Sequence, residues 1–451
     1  MGTHDHTKAD LDSPTAGGSV IQEPPVVGDA NAKRIRIGDD SSDGAEVSCR
    51  RDVGDTENPF VANVDVTSFL VQFVHGKQYL YFASVCRGWR DAWGERRKVT
   101  AAVMADTSES QLLCSIGCGL SRTTAVCTAI SALGRLDLLQ CARANGFPWN
   151  WTTCSTAAKH GNLDVLQWAR ANTCPWNSQT CSSAAGGGHL GILQAVRSVG
   201  CPWDASTCSS AAFGGHLDVL QWARSNKCRW DRKTCSSAAG GGHLDVLQWL
   251  RSQGCPWGTL SCSSAAEGGH LDVLQWLCSN GCHWDSKTCS GAAKGGHLDI
   301  LQWARLNGCS WDSQTCSRAA LGGHLGVLQW ARSNDCPWGS TTCSCAAEGG
   351  HLNVLQWLRS NGCPWDRRTC SSAARGGHLS VLQWARSNGC RWNKQTCISA
   401  AEGGHLGVLQ WARSNGCVWD ESTTQAAKNR GYEEVVAWAV SNGCPVSNLA
   451  R

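Results

Sequence analysis

The sequence predicts an all-α protein, an α-solenoid of about twelve stacked helix–turn–helix repeats. Two observations lead to this fold class. A Gly-Gly-His element returns every 27 residues from His189 to His405, and degenerate copies continue the register to Arg135 and to Tyr432. Each copy also contains two helical segments that cannot bury their apolar faces alone, so neighbouring copies are expected to stack on one another.

The first helix of a copy is well represented by the segment that starts at Asp231. Asp231 or Thr234 is expected to cap its N-terminus, because either side-chain oxygen can accept from the free N–H groups of a first turn. The small residues that follow predict a thin helix that packs closely. Gly241 and Gly242 are expected to end it, since glycine takes a left-handed C-terminal cap at little cost.

The second helix follows at once and is amphipathic. Leu244, Leu247 and Leu250 share one stripe, which is typical of a half-buried helix. Asp245 near its start and Arg251 near its end suit the helix dipole. A leucine-rich repeat has a similar period but needs an alternating L-x-L strand, which this sequence does not contain. Each unit is therefore expected to be a helix, a tight turn, a helix and a short loop.

The run G-H-L-D-V-L-Q-W-A-R-S-N-K-C at Gly215–Cys228 resembles the second half of an ankyrin repeat, and the preceding T-C-S-S-A-A-x-G-G-H resembles the first half. The resemblance recurs in register over residues 122–446. The period departs from the family's usual length of about 33 residues, and the missing residues lie where ankyrin proteins have a β-hairpin finger. The resemblance therefore implies fingers shortened to turns. The Trp- and Cys-rich form is similar to the expanded ankyrin families of algae, other protists and large DNA viruses.

The composition divides the chain into four parts. Residues 1–58 are expected to be a disordered tail, because they hold few aromatic residues and many Gly, Pro, Asp and Ser. Residues 59–98 are expected to form a small helical segment and residues 99–121 a linking helix. The repeats and a more charged C-terminal capping unit fill residues 122–451.

The segment 59–98 resembles an F-box, a domain that holds the adaptor of a cullin-type ubiquitin ligase. Val85, Cys86 and Trp89 carry this resemblance. The Leu-Pro that opens the family's motif is absent, and Asn58-Pro59-Phe60 stands in its place. The alternative interpretation is a helical cap at the start of the solenoid.

Charge and hydropathy favour an intracellular protein, cytoplasmic or nuclear. No apolar run approaches the roughly 20 residues of a membrane span, and no secretory signal opens the chain. The basic run Lys33-Arg34-Ile35-Arg36 is a candidate nuclear-import signal. Residues 1–58 hold 12 acidic and 6 basic residues, whereas the rest holds 24 and 34, so the repeats are mildly basic. This balance permits an acidic partner without requiring nucleic acid.

The cysteines and tryptophans follow the same period as the repeat. Of 24 tryptophans, ten lie on second helices and eleven in the loops that follow. Both residue types are interpreted as core, because aromatic residues at helical spacing usually pack and free cysteine is among the most buried residue types. Zinc binding is not expected, since the two periodic cysteines bracket six residues instead of the two to four that zinc sites favour. No cofactor is expected.

The repetition argues against an enzyme, because a catalytic site needs residues that occur once. The ankyrin resemblance implies a scaffold that binds a protein partner on the concave face, and the chain is expected to act as a monomer. Two alternatives stay open: an F-box-type substrate receptor of a cullin ligase, and a single-stranded nucleic-acid binder that stacks bases on the tryptophans.

Comparison of the copies with one another predicts the partner-binding residues. A recognition surface is expected where the copies differ most, and two places vary. The first is the residue between Ala-Ala and Gly-Gly: Phe213, Glu267, Lys294, Leu321, Glu348, Arg375 and Glu402. The second is the segment before Thr-Cys: Arg232, Lys233, Arg367, Arg368 and Lys394. Phe213 and Leu321 are expected to be exposed apolar side chains, and Arg367, Arg368, Arg375 and Lys394 are expected to gather positive charge.

Overall fold

The structure is a computed structural model, and it describes residues 107–117, 120 and 122–446. The predicted tail at 1–58, the F-box-like segment at 59–98 with its Val85, Cys86 and Trp89, and most of the 99–121 segment lie outside the described residues. Those assignments therefore stay predictions.

The described residues form 25 α-helices and no β-strand, so the predicted fold class, an all-α solenoid, is correct. Helix α1 stands before the repeats, and the other 24 helices make twelve pairs. Each pair is called a unit, its first helix the A helix and its second the B helix. The helices are α1 (Glu109–Gly117), α2 (Thr124–Leu133), α3 (Leu136–Ala144), α4 (Trp151–Lys159), α5 (Leu163–Ala171), α6 (Ser178–Gly186), α7 (Leu190–Ser198), α8 (Ala205–Phe213), α9 (Leu217–Ser225), α10 (Arg232–Gly241), α11 (Leu244–Ser252), α12 (Thr259–Gly268), α13 (Leu271–Ser279), α14 (Ser286–Gly295), α15 (Leu298–Leu306), α16 (Ser313–Gly322), α17 (Leu325–Ser333), α18 (Ser340–Glu348), α19 (Leu352–Ser360), α20 (Arg367–Gly376), α21 (Leu379–Ser387), α22 (Lys394–Glu402), α23 (Leu406–Ser414), α24 (Glu421–Arg430) and α25 (Glu433–Ser441).

Nine of the twelve A helices begin immediately after a capping Asp or Asn, whereas Gly258 and Gly339 precede α12 and α18. The Asp231 side chain accepts a hydrogen bond from the Lys233 backbone N–H at 2.8 Å, and the Asp231 N–H donates to the Thr234 hydroxyl at 3.4 Å. Two residues thus satisfy each other's free donors, as in a capping box. The helix ends at Gly242, whose φ of +78° is the left-handed conformation that glycine favours.

The B helices bury one face against the A helices. In α11, Val246, Leu247 and Leu250 are fully buried, whereas Asp245 and Gln248 on the opposite face are exposed. The A helices pack directly against the A helices of both neighbouring units, because their facing residues are Ala, Ser and Cys. Neighbouring B helices make far fewer contacts, so the A-helix side is the tightly packed side of the array.

A histidine precedes nine of the twelve B helices, and its ring contacts the unit before. His324 Nε2 lies 3.0 Å from the carbonyl oxygen of Lys294, and His405 Nε2 lies 2.9 Å from that of Arg375. The ring also packs over the glycine of the previous turn, where a Cβ on Gly296 would come within 2.4 Å of His324 Nδ1. These contacts account for both the histidine and the glycine of the repeated motif.

The periodic cysteines are core residues, as the sequence predicts. The thiol of Cys255 donates to the carbonyl of Asp231 at 3.6 Å, and the thiol of Cys235 donates to the carbonyl of Cys255 at 3.9 Å. Both side chains are fully buried. The interaction with the Cys255 thiol, together with burial, raises the pKa of Cys235, and burial raises the pKa of Cys127 to about 11. These two thiols are therefore protonated at neutral pH.

Candidate partner-binding surface

The variable residue at the end of each A helix combines a fixed backbone with a free side chain. Its carbonyl is the acceptor for the histidine of the next unit at Lys159, Lys294, Leu321 and Arg375. That hydrogen bond is independent of the side chain, which explains why Lys, Leu and Arg all occur at this position. The array therefore fixes the place of this residue and leaves its chemistry open.

The second variable segment, before Thr-Cys, lies in the first turn of the A helix. Arg232 and Lys233 are the first two residues of α10, and Arg367 and Arg368 are the first two of α20. The reason is the capping residue directly before them, Asp231 or Asp366, from which the chain enters the helix at once. No residues are left for a finger, and the connection from a B helix to the next A helix is short.

Most of the predicted partner-binding residues are exposed on the A helices. Phe213 has 60% of its surface accessible and is the largest apolar side chain among them. Leu321 is half-buried, which corrects the expectation that it is exposed. The exposed set is Phe213, Glu267, Glu348, Arg375, Arg232, Lys233, Arg367, Arg368 and Lys394, and the half-buried set is Lys294, Leu321 and Glu402.

Ion pairs between neighbouring units neutralise several of these charges. Lys294 Nζ lies 2.5 Å from a carboxylate oxygen of Glu267, one unit earlier. The two carboxylate oxygens of Glu402 lie 3.1 Å from a guanidinium nitrogen of Arg375 and 3.2 Å from one of Arg430. These pairs are partly exposed, so each contributes on the order of 0–1 kcal/mol to stability.

Lys394 is also paired, with Asp420 of the next unit at 2.8 Å. The hydrogen bond from this ammonium lowers the pKa of Asp420, so the carboxylate is charged at neutral pH. Lys394 therefore brings little net positive charge to the surface, which weakens its predicted role in an attractive basic cluster.

Two adjoining grooves cross the surface between α18 and α22. The first, of about 630 Å³, is lined by Trp365, Asp366, Arg367, Arg368, Gly389, Arg391, Trp392 and Asn393. The second, of about 310 Å³, is lined by hydroxyl and charged side chains of three A helices: Thr341, Ser344, Glu348, Arg368, Ser371, Ser372, Arg375, Gln395 and Ser399. Arg368 lines both, so the two grooves adjoin at that residue.

The periodic tryptophans of the described units lie beside the B helices, where they are partly buried and pack against the core, so the expectation that they are core holds only in part. Trp230 packs edge-to-face on Trp249 of the following B helix, with ring centroids 5.9 Å apart and an angle of 74°. The guanidinium of Arg224 lies 3.8 Å from the centroid of Trp230 and donates to the carbonyl of Cys228 at 2.6 Å. The rings fill the gap between B helices that stand too far apart to cover them completely.

No protein-family model and no curated protein matches the chain. Among solved structures, the human ASB11 ankyrin repeat domain aligns with a TM-score of 0.28 and 18% identity, over 35% of this chain and 84% of that chain. The pentatricopeptide repeat protein PPR10, solved in complex with an 18-nt psaJ RNA element, aligns with a TM-score of 0.28 and 14% identity, over 85% of this chain and 64% of that chain.

Sequence reasoning missed two contributors to the surface. Arg391 lines the larger groove, although the comparison of copies considered only the residues before Thr-Cys and before Gly-Gly. The arginine before each loop tryptophan was also overlooked. Its signal was available, because an Arg precedes the loop Trp by six residues in most copies, as Arg224 precedes Trp230.

Two further observations bear on chemistry and on membranes. Within the described ranges, no group of three His, Cys, Asp or Glu side chains is arranged to hold a metal ion. None of the helices in this same part of the chain is long and apolar enough to cross a membrane.

Proposed function

We propose that this protein is a non-enzymatic scaffold that binds a protein partner on the A-helix side of its repeats. One observation carries the proposal. At the end of the A helix, the backbone carbonyl makes a hydrogen bond that recurs between units, while the side chain differs from unit to unit. A surface built in this way presents different side chains at regular intervals without changing the stack.

The B-helix side is less suited to discrimination between partners. The sequence L-Q-W, with its exposed glutamine, recurs in nine units, and the tryptophans pack on one another and on arginine. The exposed residue near the start of the B helix varies only among small or short polar residues, such as Asp245, Gly326, Asn353 and Ser380. A partner would therefore meet smaller differences from step to step than on the A-helix side. The A-helix side instead offers Phe213, Glu348 and Arg375 at equivalent positions, which gives the unequal contacts that specificity requires.

The resemblance to ankyrin repeats supports the same side. In that family, the end of the first helix and the finger line the concave binding face. Here the finger is replaced by the first turn of the A helix, so its role is taken by residues such as Arg232 and Arg367. Both variable segments then belong to one helix of each unit.

Site-specific photo-crosslinking tests which side binds. A photoreactive phenylalanine analogue replaces Phe213 or Glu348 on the A-helix side, and Gln221 or Gln356 on the exposed face of B helices serves as the matched control. The full chain is irradiated in a lysate of its source cells, and cross-linked proteins are identified by mass spectrometry. We expect the same protein at both A-helix positions and none at the B-helix positions. Crosslinks at the B-helix positions alone would place recognition on the other side.

Phe213→Ser adds a second measurement. Because the side chain is largely exposed, the substitution should change the unfolding free energy by no more than about 0.5 kcal/mol. We expect weaker capture of the cross-linked partner with an unchanged melting temperature.

A further inference from the structure

Three arginines of the larger groove have no ion-pair partner among the described residues. They are Arg367, Arg368 and Arg391, and all three are exposed. Elsewhere on the A helices, the variable charges at Lys294, Arg375 and Lys394 are each matched by a carboxylate of a neighbouring unit. The groove is thus a place where positive charge collects without compensation.

The guanidinium groups of Arg367 and Arg368 make no hydrogen bond or ion pair with other described residues. Both lie in the first turn of α20, where the helix dipole favours negative charge and disfavours cations. The one carboxylate that lines this groove belongs to Asp366, which accepts a hydrogen bond from the Arg368 backbone N–H at 2.8 Å as the helix cap. Its charge stabilises the helix start and forms no ion pair with the guanidinium groups.

The adjoining groove supplies hydroxyl and amide groups, together with the charged side chains of Glu348 and Arg375. Thr341, Ser372 and Gln395 line it from three successive A helices, and Arg368 stands at its junction with the arginine groove. An extended peptide backbone that crosses this junction would meet hydroxyl and amide groups on one side and guanidinium groups on the other. Carboxylates suit such guanidinium groups, because each accepts two parallel hydrogen bonds from one arginine.

The tryptophans of the groove argue against stacked nucleic-acid bases. The guanidinium of Arg359 lies 4.4 Å from the Trp365 ring centroid, and that of Arg386 lies 4.3 Å from the Trp392 centroid. Each ring also packs against the tryptophan of the next B helix, at 5.8 Å in both cases. A guanidinium covers one face of each ring and a second tryptophan packs against it, so less aromatic surface is left for the base stacking that single-strand binding uses.

We infer that the groove formed by Arg367, Arg368 and Arg391 binds an acidic peptide segment of the partner protein. The inference rests on the proposed function and adds the chemical class of the ligand. Carboxylates of the segment pair with the three guanidinium groups, and its backbone continues over the hydroxyl-lined groove toward Arg375.

Fluorescence anisotropy with a labelled twelve-residue Asp/Glu/Gly peptide tests the inference on the full chain. The triple variant Arg367→Gln, Arg368→Gln, Arg391→Gln removes three positive charges. The variant Gln356→Glu, Gln383→Glu, Gln410→Glu changes net charge by the same amount on exposed B-helix positions of adjacent units. We expect the arginine variant to raise the Kd by about tenfold or more, equivalent to about 1.4 kcal/mol. The glutamine variant should change it far less, and binding of the wild type should weaken with added salt.

Thermal unfolding separates binding from folding. The arginine variant should melt at the same temperature as the wild type or higher, because the cations it removes oppose the dipole of α20. If the triple variant both melts at a lower temperature and loses binding, the single variant Arg391→Gln separates the two effects, because Arg391 lies outside any helix. Loss of binding in that variant without a change in melting supports the inference, and unchanged binding contradicts it.

Three outcomes would overturn the inference. They are absence of acidic-peptide binding, equal losses in the two charge-matched variants, and tighter binding of a twelve-nucleotide oligouridylate than of the peptide. A partner that still cross-links at Phe213 and Glu348 would then leave the proposed function intact. Absence of crosslinks at those positions would instead count against the proposed function itself.

Discussion

His324 donates from Nε2 to the carbonyl oxygen of Lys294, thirty residues earlier, at 3.0 Å. The same relationship joins His189 to Lys159, His351 to Leu321 and His405 to Arg375. In the second unit an asparagine takes the place of the histidine, and Asn162 Nδ2 donates to the carbonyl of Ser131 at 2.8 Å. The contact between units thus needs a side-chain N–H at this position more than it needs an imidazole.

Replacing this histidine should separate the hydrogen bond from the packing of the ring. His324→Ala removes both, and we expect a loss of about 1–3 kcal/mol of unfolding free energy. His324→Asn keeps an N–H donor, as Asn162 does, and should lose less than half of that. Urea unfolding followed by circular dichroism measures both variants. Equal losses would show that the ring's packing, and not the hydrogen bond, connects the units.

Two glycines with the same backbone conformation distinguish strain from collision. Gly296 and Gly308 both have φ of +83°, but an added Cβ at Gly296 would lie 2.4 Å from His324, whereas at Gly308 it would meet nothing within 4 Å. Gly308→Ala should therefore cost only the left-handed conformation, about 1–2 kcal/mol. Gly296→Ala should cost clearly more, because His324 must also leave its position.

The chain contains natural controls for the second glycine. Thr173, Lys227 and Asp335 occupy the position equivalent to Gly308 and have φ of 67°, 64° and 62°. No non-glycine residue with positive φ occurs at the position of Gly296 in the described units. Lys227→Gly should accordingly stabilise the protein, and similar losses for the two alanine variants in urea unfolding would contradict the collision argument.

Trp276→Ala should cost about 2 kcal/mol, less than the roughly 3–5 kcal/mol of a fully buried large aromatic residue. The ring is half-buried and packs edge-to-face on Trp257 at 5.7 Å. Urea unfolding measures the loss. A matched control is Ala195→Trp in α7, a B helix that has alanine where most others have tryptophan. The new ring would lie beside Trp176 of the preceding loop. We expect that variant to be stabilised, and an unchanged midpoint for Trp276→Ala would show that the row of rings makes no contribution to folding.

Acid stability should depend on the helix caps. The Ser206 hydroxyl and backbone N–H donate to Asp204, which lowers the pKa of this carboxyl. Because the pKa of Asp204 is lower in the folded protein, its charged carboxylate contributes its full stabilisation above the ordinary pKa near 3.8. This stabilisation is lost as the pH falls through the lowered pKa of the folded state. Asp204→Asn retains a cap, as Asn177 does, and should change stability at pH 7 by no more than about 0.5 kcal/mol.

The measurement compares urea midpoints at pH 7 and pH 3. The wild type should lose more stability between these values than Asp204→Asn, because only the carboxylate takes up a proton. Asp204→Ala should be less stable than the wild type at both pH values, by about 1 kcal/mol at pH 7, because alanine cannot cap the helix. A pH dependence that is the same in the wild type and the asparagine variant would exclude this role for Asp204.

The helices of a unit and the residues at which they begin and end could be predicted from the sequence. Asp231 and Gly242 could be assigned from local rules, because a capping carboxylate and a left-handed glycine act within one turn of the chain. The exposure of Trp249 could not be predicted in this way. It depends on how far apart neighbouring B helices stand, and that distance follows from the packing of the small residues on the A helices.

The surface was predicted only in part for a similar reason. Variation among copies identified Arg367 and Arg368, but it treated each position alone. Contacts between units place Arg391 beside them and pair Lys294 with Glu267, 27 residues away. A search for opposite charges 27 residues apart would have predicted that ion pair from the sequence. The groove could not be predicted in this way, because it depends on how residues of neighbouring units lie relative to one another.

The hydrogen bond from a histidine to a backbone carbonyl of the unit before also bears on how such a gene can change. Because the acceptor is the main chain, a duplicated or deleted block of 27 residues can join its new neighbour through the same donor and acceptor whatever side chain stands there. Unequal recombination that keeps the reading register therefore preserves this contact at the new junction. The order of recognition residues can be rearranged by whole units, and only boundary-specific pairs such as Lys294 and Glu267 record the earlier order.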